Sequence, residues 1–133
     1  MKQNPVELAK KVFDIEAQAI LALKDRIGDS FLKAISLILE CKGKVVITGI
    51  GKSGVIARKI ASTFSSTGTP SVFIHPAESS HGDLGMITKD DLLIAISYGG
   101  GTPELMNILT YATRKGIALI AMTSNPKSDL AAR

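Results

Sequence analysis

Tryptophan is absent from this 133-residue chain, cysteine occurs once, and only 5% of the residues are aromatic. A single Cys41 cannot form an internal disulfide, so a disulfide-stapled scaffold is excluded and a reducing, cytoplasmic setting is expected. With so few aromatics, the 45% hydrophobic content is mostly Ala, Ile, Leu and Val, the usual filling of helix-on-sheet layers. No apolar run reaches the roughly 18 residues that a bilayer span requires. Even Leu92 to Ile96 is bounded by Asp90-Asp91 and Ser97. The first residues lack a signal-peptide pattern, so no membrane partner is expected. Low-complexity segments and internal repeats are also missing. The 16 basic residues exceed the 12 acidic ones by four, but they are scattered, with no run longer than Lys10-Lys11. A nucleic-acid binder would carry a basic stripe interleaved with stacking aromatics, so nucleic acid is not expected as a partner. A mild positive excess suits a small anionic ligand.

What is present alternates between two periods. From Pro5 to about Arg26, Val6, Ala9, Val12, Phe13, Ile15, Ala19, Ile20 and Leu23 recur at helical spacing, and Gly28 ends the pattern. Phe31 to Leu39 repeats it, with Asp29 or Ser30 as an N-cap and Gly43 as the stop. Short aliphatic runs at Lys44–Thr48, Ser71–Ile74, Leu92–Ile96 and Ile117–Met122 then alternate with helical segments after Gly54 and from Pro103 to Arg114. This alternation predicts a doubly wound parallel sheet, α/β, preceded by two helices. Asn125 to Leu130 reads as the start of a further helix near Pro126. Too little chain remains before Arg133 for another strand, and such sheets usually have five or six. The pattern therefore reads as truncated at its C-terminal end, with a sheet edge for a partner to cap.

In an open parallel sheet, ligands bind at the carboxyl ends of the strands, where helix N-termini converge. Two turns qualify. Gly49, Gly51 and Gly54 match the dinucleotide fingerprint formally, but the acidic residue that reading wants near the end of the second strand is replaced by Ile74-His75. A P-loop fails as well, because its first glycine falls on Val46. Lys52 and Ser53 remain on the turn itself, an ammonium and a hydroxyl suited to an anionic or carbonyl ligand. The second turn, Ser97-Tyr-Gly-Gly-Gly-Thr102, follows a strand directly. The backbone N–H groups of Gly99, Gly100 and Gly101 can turn toward a phosphate, Thr102 is an N-cap, and Pro103 fits the first helical position. Glu104 in the first helical turn serves either the helix dipole or catalysis. Between strands two and three, His75 to Gly85 carries both histidines and two carboxylates. The spacing of six between His75 and His81 matches no standard zinc motif, so no metal is assigned, and His81 stands as an acid–base candidate.

Gly49-Ile-Gly-Lys-Ser-Gly54, Ser66-Thr-Gly-Thr-Pro-Ser71, Phe73-Ile-His-Pro76, His81-Gly-Asp-Leu-Gly-Met86 and Ala95-Ile-Ser97 together resemble the sugar isomerase (SIS) domain of D-arabinose 5-phosphate isomerases. The resemblance runs from about Ala9 to Arg133. It implies a flavodoxin-like three-layer α/β/α fold, with residues 1–42 as a helical part and 43–133 as the α/β part of a single SIS domain. It also implies interconversion of D-ribulose 5-phosphate and D-arabinose 5-phosphate for synthesis of the Kdo sugar of lipopolysaccharide or capsule, with no cofactor. Position by position, it puts catalytic roles on Lys52, His81 and Glu104, and sugar- or phosphate-binding roles on Ser53, Ser97 and Thr102, beside the backbone of Gly51 and of Gly99 to Gly101. The family's usual Ser-x-Ser-Gly-Glu-Ser/Thr loop here has Gly99 and Gly101 in place of a hydroxyl and a carboxylate. A further glutamate and histidine, and a pair of CBS domains, lie downstream in family members and outside this sequence. The resemblance also implies a homotetramer, a dimer of dimers. A non-catalytic phosphosugar-sensing module is the alternative reading.

Overall fold

The aliphatic runs become four strands, β1 (Val45–Gly49), β2 (Ser71–Ile74), β3 (Leu92–Ile96) and β4 (Ala118–Met122). All pair in parallel in the order β2-β1-β3-β4, the order of a flavodoxin-like sheet. The helices are α1 (Pro5–Ala22), α2 (Asp29–Glu40), α3 (Lys52–Ser66), α4 (Pro76–Ser79) and α5 (Pro103–Lys115), with 3-10 turns at Leu23–Arg26 and Asp83–Met86. The computed structural model describes residues 4–79 and 82–133, and the chain divides into two units, Met1–Ile35 and Ser36–Arg133. The boundary thus falls inside α2, several residues before the change of pattern at Gly43.

In the first unit, Asn4 caps α1 by accepting the Val6 N–H at 3.0 Å, and Pro5 occupies the first turn, where no N–H is needed. Val6, Phe13, Ile15 and Ile20 are exposed, and no residue of α1 is buried. Asp29 lies inside the first turn of α2 rather than capping it. The Gly28 carbonyl accepts the N–H groups of Phe31 and Leu32 at 3.0 and 3.1 Å.

In the second unit, both central strands are buried on both faces, which is why their sequences run apolar without alternation. Side chains still divide by parity. Val46, Leu93 and Ala95 pack with Leu105, Ile108, Leu109 and Ala112 of α5. Val45, Ile47, Leu92 and Ile94 pack with Ala57 and Ala61 of α3 and with Leu37 and Ile38 of α2. The two crossover helices therefore cover opposite faces, and the winding direction switches between β1 and β3. Among the described residues, no helix is long and apolar enough to cross a membrane.

The helix expected near Pro126 does not form, since residues 126–132 are turns and a bend. Asn125 Oδ1 accepts the Lys127 N–H, Ser128 Oγ donates to the Asn125 carbonyl and accepts the Ala131 N–H, and the Leu130 N–H donates to the Gly100 carbonyl. Side-chain and tertiary acceptors take the donors that a helix would have aligned. The buried Leu130 side chain joins the core on the α5 face.

One buried carboxylate ties the amino end of the sheet together. Asp91 Oδ1 accepts the Lys44 N–H at 2.8 Å, and Oδ2 accepts the Thr88 N–H at 2.7 Å and the Lys44 ammonium at 2.8 Å. That ammonium also donates to the Met86 carbonyl at 2.8 Å. Gly43 allows this approach, because a Cβ there would overlap Asp91 Oδ1 and come within 2.9 Å of the Asp90 carbonyl oxygen. Burial pushes the Asp91 carboxyl up, but the Lys44 N–H, the Lys44 ammonium and the Thr88 N–H more than offset this and hold it below its ordinary value. Its stabilising contribution is thus complete above the unfolded value of about 3.9 and is lost as pH falls through the depressed folded value. Asp91→Asn removes a charged acceptor from three donors and should cost about 2 kcal/mol at pH 7. Urea denaturation at pH 7 and pH 3 should show the gap between variant and wild type narrowing at the acid end.

Candidate functional site

β1 and β3 are adjacent, with Gly49 opposite Ile96 at their carboxyl ends, so the two turns predicted to hold a ligand leave the sheet side by side. Each feeds a helix on a different face, so α3 and α5 both begin on the carboxyl side of the sheet. Gly51 caps α3 with φ 59° and ψ −129°, a backbone region open essentially to glycine. The first turn of α3 then rides close over β1, where a Cβ on Gly54 would stand 2.6 Å from the Gly49 carbonyl oxygen.

Lys52 is the first residue of α3 and is exposed, and the first turn of that helix has no acidic residue. A cation there opposes the helix dipole at a cost of about 0.3–1 kcal/mol, and neither ion pair among the described residues engages it. Ammonium and dipole together make this end of the crevice positive. Ser53 lies next to it, half-buried.

The second turn is braced rather than loose. Ser97 Oγ accepts the Gly100 N–H at 3.0 Å, and the Ser97 N–H donates to the Met122 carbonyl at 3.0 Å. The Tyr98 carbonyl accepts from the Ser124 N–H, Ser124 Oγ and Thr123 Oγ1 at 3.2, 2.8 and 3.0 Å. Gly100 has φ 75°, and a Cβ on it would overlap Ser128. Of the three glycine N–H groups offered to a phosphate, that of Gly100 is therefore already spent inside the turn. Those of Gly99, Gly101 and Thr102 have no partner among the described residues.

Thr102 stands at the N-cap of α5, but its hydroxyl makes no capping bond and is buried without a hydrogen-bond partner. An unsatisfied buried hydroxyl costs about 1–3 kcal/mol, and a built ligand site is a reason to tolerate one. Glu104, exposed in the first turn of α5, enters neither described ion pair. His75 does not join it. Its Nδ1 accepts the Ala77 N–H at 3.3 Å, which caps α4. His81 lies outside the described residues. No group of three or more His, Cys, Asp or Glu side chains able to hold a metal occurs among the described residues. A cavity of about 300 Å³ lined by Leu37, Cys41, Lys89 and Leu92 opens at the opposite, amino edge of the sheet and touches none of the predicted site residues.

The bracing of the second turn by residues 123–130 had no signal in the sequence, because it depends on carbonyls and hydroxyls that only the folded chain brings into reach.

The SIS domain profile matches residues 38–133. The chain belongs to the SIS domain family. It is 52% identical over 133 residues to arabinose 5-phosphate isomerase KdsD of Pseudomonas aeruginosa, covering 98% of this chain and 41% of that protein. It is 48% identical over 130 residues to arabinose 5-phosphate isomerase GutQ of Escherichia coli K12, covering 98% of this chain and 40% of the relative. The chain thus spans about two fifths of these relatives. Among solved structures, an Escherichia coli CFT073 protein in complex with A5P superposes with a TM-score of 0.81 at 41% identity, over 98% of this chain and 71% of that one.

Two substitutions separate structural from ligand-directed residues in this SIS domain. Gly100→Ala should destabilise by about 1–3 kcal/mol through its positive φ and its overlap with Ser128. Thr102→Val removes an unpaired buried hydroxyl while keeping the shape, so its melting temperature should equal or exceed that of the wild type. A clear drop in thermal denaturation would show that the hydroxyl is bonded.

Proposed function

We propose that this SIS domain is the isomerase domain of a cytoplasmic enzyme interconverting D-ribulose 5-phosphate and D-arabinose 5-phosphate for Kdo synthesis. The observation that carries the reading is that two helices start from the carboxyl ends of adjacent strands. One presents an ammonium against its own dipole, and the other a buried hydroxyl with no partner. Both features are locally unfavourable, and an anionic, oxygen-rich ligand relieves both. The names of the relatives and the A5P complex supply the substrate class.

In this reading the phosphate is held by the N–H groups of Gly99, Gly101 and Thr102 and by the hydroxyls of Ser53, Ser97 and Thr102. The Gly51 turn supplies the close backbone approach on the other side. Glu104 takes the proton from C1 of the ketose, leaving an enediolate between C1 and C2, and returns it to C2. The hydroxyl proton on O1 moves to O2, so the product is the aldose with all atoms conserved. The Lys52 ammonium stabilises the oxyanion in both directions. His81, assigned by resemblance, assists ring opening and the oxygen-to-oxygen proton transfer. No cofactor takes part in this scheme.

Turnover is tested in the full-length protein that contains this domain. Glu104→Gln should lower kcat by about 10²–10⁴, the typical worth of a positioned general acid or base, while retaining sugar-phosphate binding in calorimetry. Lys52→Met should lower kcat and weaken binding together. Tight binding of pentose phosphates by a wild-type protein that does not isomerise them would replace the enzyme reading with a phosphosugar sensor.

The same proposal includes a homotetramer, built as a dimer of dimers and held largely by Val6 to Leu23, whose exposed apolar side chains are more than a monomer normally leaves in water. Light scattering at tens of micromolar should give a tetramer for the wild type and a smaller species for the Phe13→Glu, Ile20→Glu double variant. A monomeric wild type would refute it.

A further inference from the structure

We propose that Thr123 and Ser124 are positioning residues for ligand binding, aiming the free N–H groups of the second turn from behind its peptide planes. The inference rests on the reading above, in which those N–H groups hold the phosphate. A peptide unit is planar, and no peptide bond among the described residues is cis, so each N–H points opposite to the carbonyl of the residue before it. The Gly99 N–H is therefore aimed by the Tyr98 carbonyl, and the Gly101 N–H by the Gly100 carbonyl.

Both carbonyls are gripped, and every donor comes from the segment after β4. The Tyr98 carbonyl accepts Thr123 Oγ1 at 3.0 Å, Ser124 Oγ at 2.8 Å and the Ser124 N–H at 3.2 Å. A carbonyl oxygen has two lone pairs, so three donors occupy its accepting side and fix the tilt of the plane. Thr123 Oγ1 also accepts the Asn125 N–H at 3.2 Å, which leaves its own proton for Tyr98. The Gly100 carbonyl accepts the Leu130 N–H at 3.0 Å, and the buried Leu130 side chain anchors that donor in the core. The peptide between these two is wired the other way. Its N–H, on the buried Gly100, donates to Ser97 Oγ, and its carbonyl, on Gly99, accepts no donor among the described residues. Gly99 and Gly101 are exposed, and each offers a free N–H whose peptide plane is held from the carbonyl side. Hydrogen bonds to a carbonyl also polarise the peptide and make its N–H a stronger donor. Thr123 and Ser124 thus act through the turn and need no contact with the ligand.

Thr123→Val and Ser124→Ala each delete one hydroxyl donor and keep the backbone, and Thr123→Ser restores the donor that Val removes. These variants and the Thr123→Val, Ser124→Ala double variant are compared with wild type in the full-length protein that contains this domain. Calorimetry with inorganic phosphate and with D-arabinose 5-phosphate should show the double variant binding both about tenfold to a hundredfold more weakly, the scale for a binding group misplaced by about 1 Å. In steady-state kinetics KM should rise by a similar factor and kcat should change less than about threefold, the pattern of lost uniform binding. Thr123→Ser should match wild type in both readouts. Should the double variant fail to fold, Thr123→Val against Thr123→Ser carries the same comparison.

Wild-type affinity in the folded double variant would overturn the proposal whatever its melting temperature, because a purely structural role for the hydroxyls lowers stability without touching the ligand. A loss confined to kcat would overturn it, as would an equal loss in Thr123→Ser and Thr123→Val, since the hydroxyl would then not be what matters. A wild type that binds both probes without isomerising the sugar refutes the enzyme reading alone, and the calorimetric comparison still decides the positioning role. A wild type that binds neither probe refutes the phosphate reading and this proposal together.

Discussion

Everything at the site depends on one pairing, β1 beside β3 in a register that places Gly49 level with Ile96. Strand side chains alternate faces, so a slip of one residue would send Val46 and Thr48 to the α3 side and Val45 and Ile47 to the α5 side. It would also lift one turn past the other. The register is held at the amino end by the Asp91 carboxylate, which joins the first residues of the β1 segment to those before β3. A buried charge is tolerated there because three donors satisfy it. The charge is therefore remote from the chemistry, at the other end of the sheet, yet it sets the level at which both turns emerge.

The carboxyl edge has the opposite character. There the structure keeps a cation at a helix N-terminus, a hydroxyl buried without a partner, and glycines at φ values that other residues avoid. The cation and the bare hydroxyl each lower stability by an amount comparable to a single ordinary mutation. Positive-φ glycines also occur at Gly68, Gly82 and Gly116, but beside the switch point between β1 and β3 they are joined by the cation and the bare hydroxyl, and that combination singles out the candidate site. The surrounding bonds show how such a site is held in place. The Tyr98 carbonyl takes three donors and the Gly100 carbonyl takes one, all from the segment after β4. The donors left over can then point at a ligand without the turn collapsing onto itself, which is the preorganisation that binding and catalysis both need.

Much of the fold was legible because its signals are local. The strand segments appear as aliphatic runs between turn residues, the helices as apolar positions at three- and four-residue steps, and the parallel class as their alternation. The order β2-β1-β3-β4, with its switch of winding direction, is one arrangement compatible with that alternation. It places Lys52 and Glu104 at the start of helices on opposite faces that both begin at the carboxyl edge. Pro126 shows where local reading failed. Asn125, Pro126 and Ser128 read as a helix start, but Ser128 bonds locally and the Leu130 N–H bonds the Gly100 carbonyl about thirty residues earlier in the chain. Propensity yields to such tertiary acceptors in a segment too short to nucleate on its own.

The sequence by itself determined the alphabet of the candidate site: an ammonium and a hydroxyl on one glycine turn, and backbone donors with a carboxylate on the other. Residue type and turn chemistry act over a few positions, and a motif spells them out. Only the tertiary structure decided which groups are free. The Gly100 N–H is consumed by Ser97, the Thr102 hydroxyl is left bare, and the His75 ring is engaged as a cap. A hydrogen bond is a matter of tenths of an ångström and of tens of degrees, and that geometry exists only once distant segments have packed.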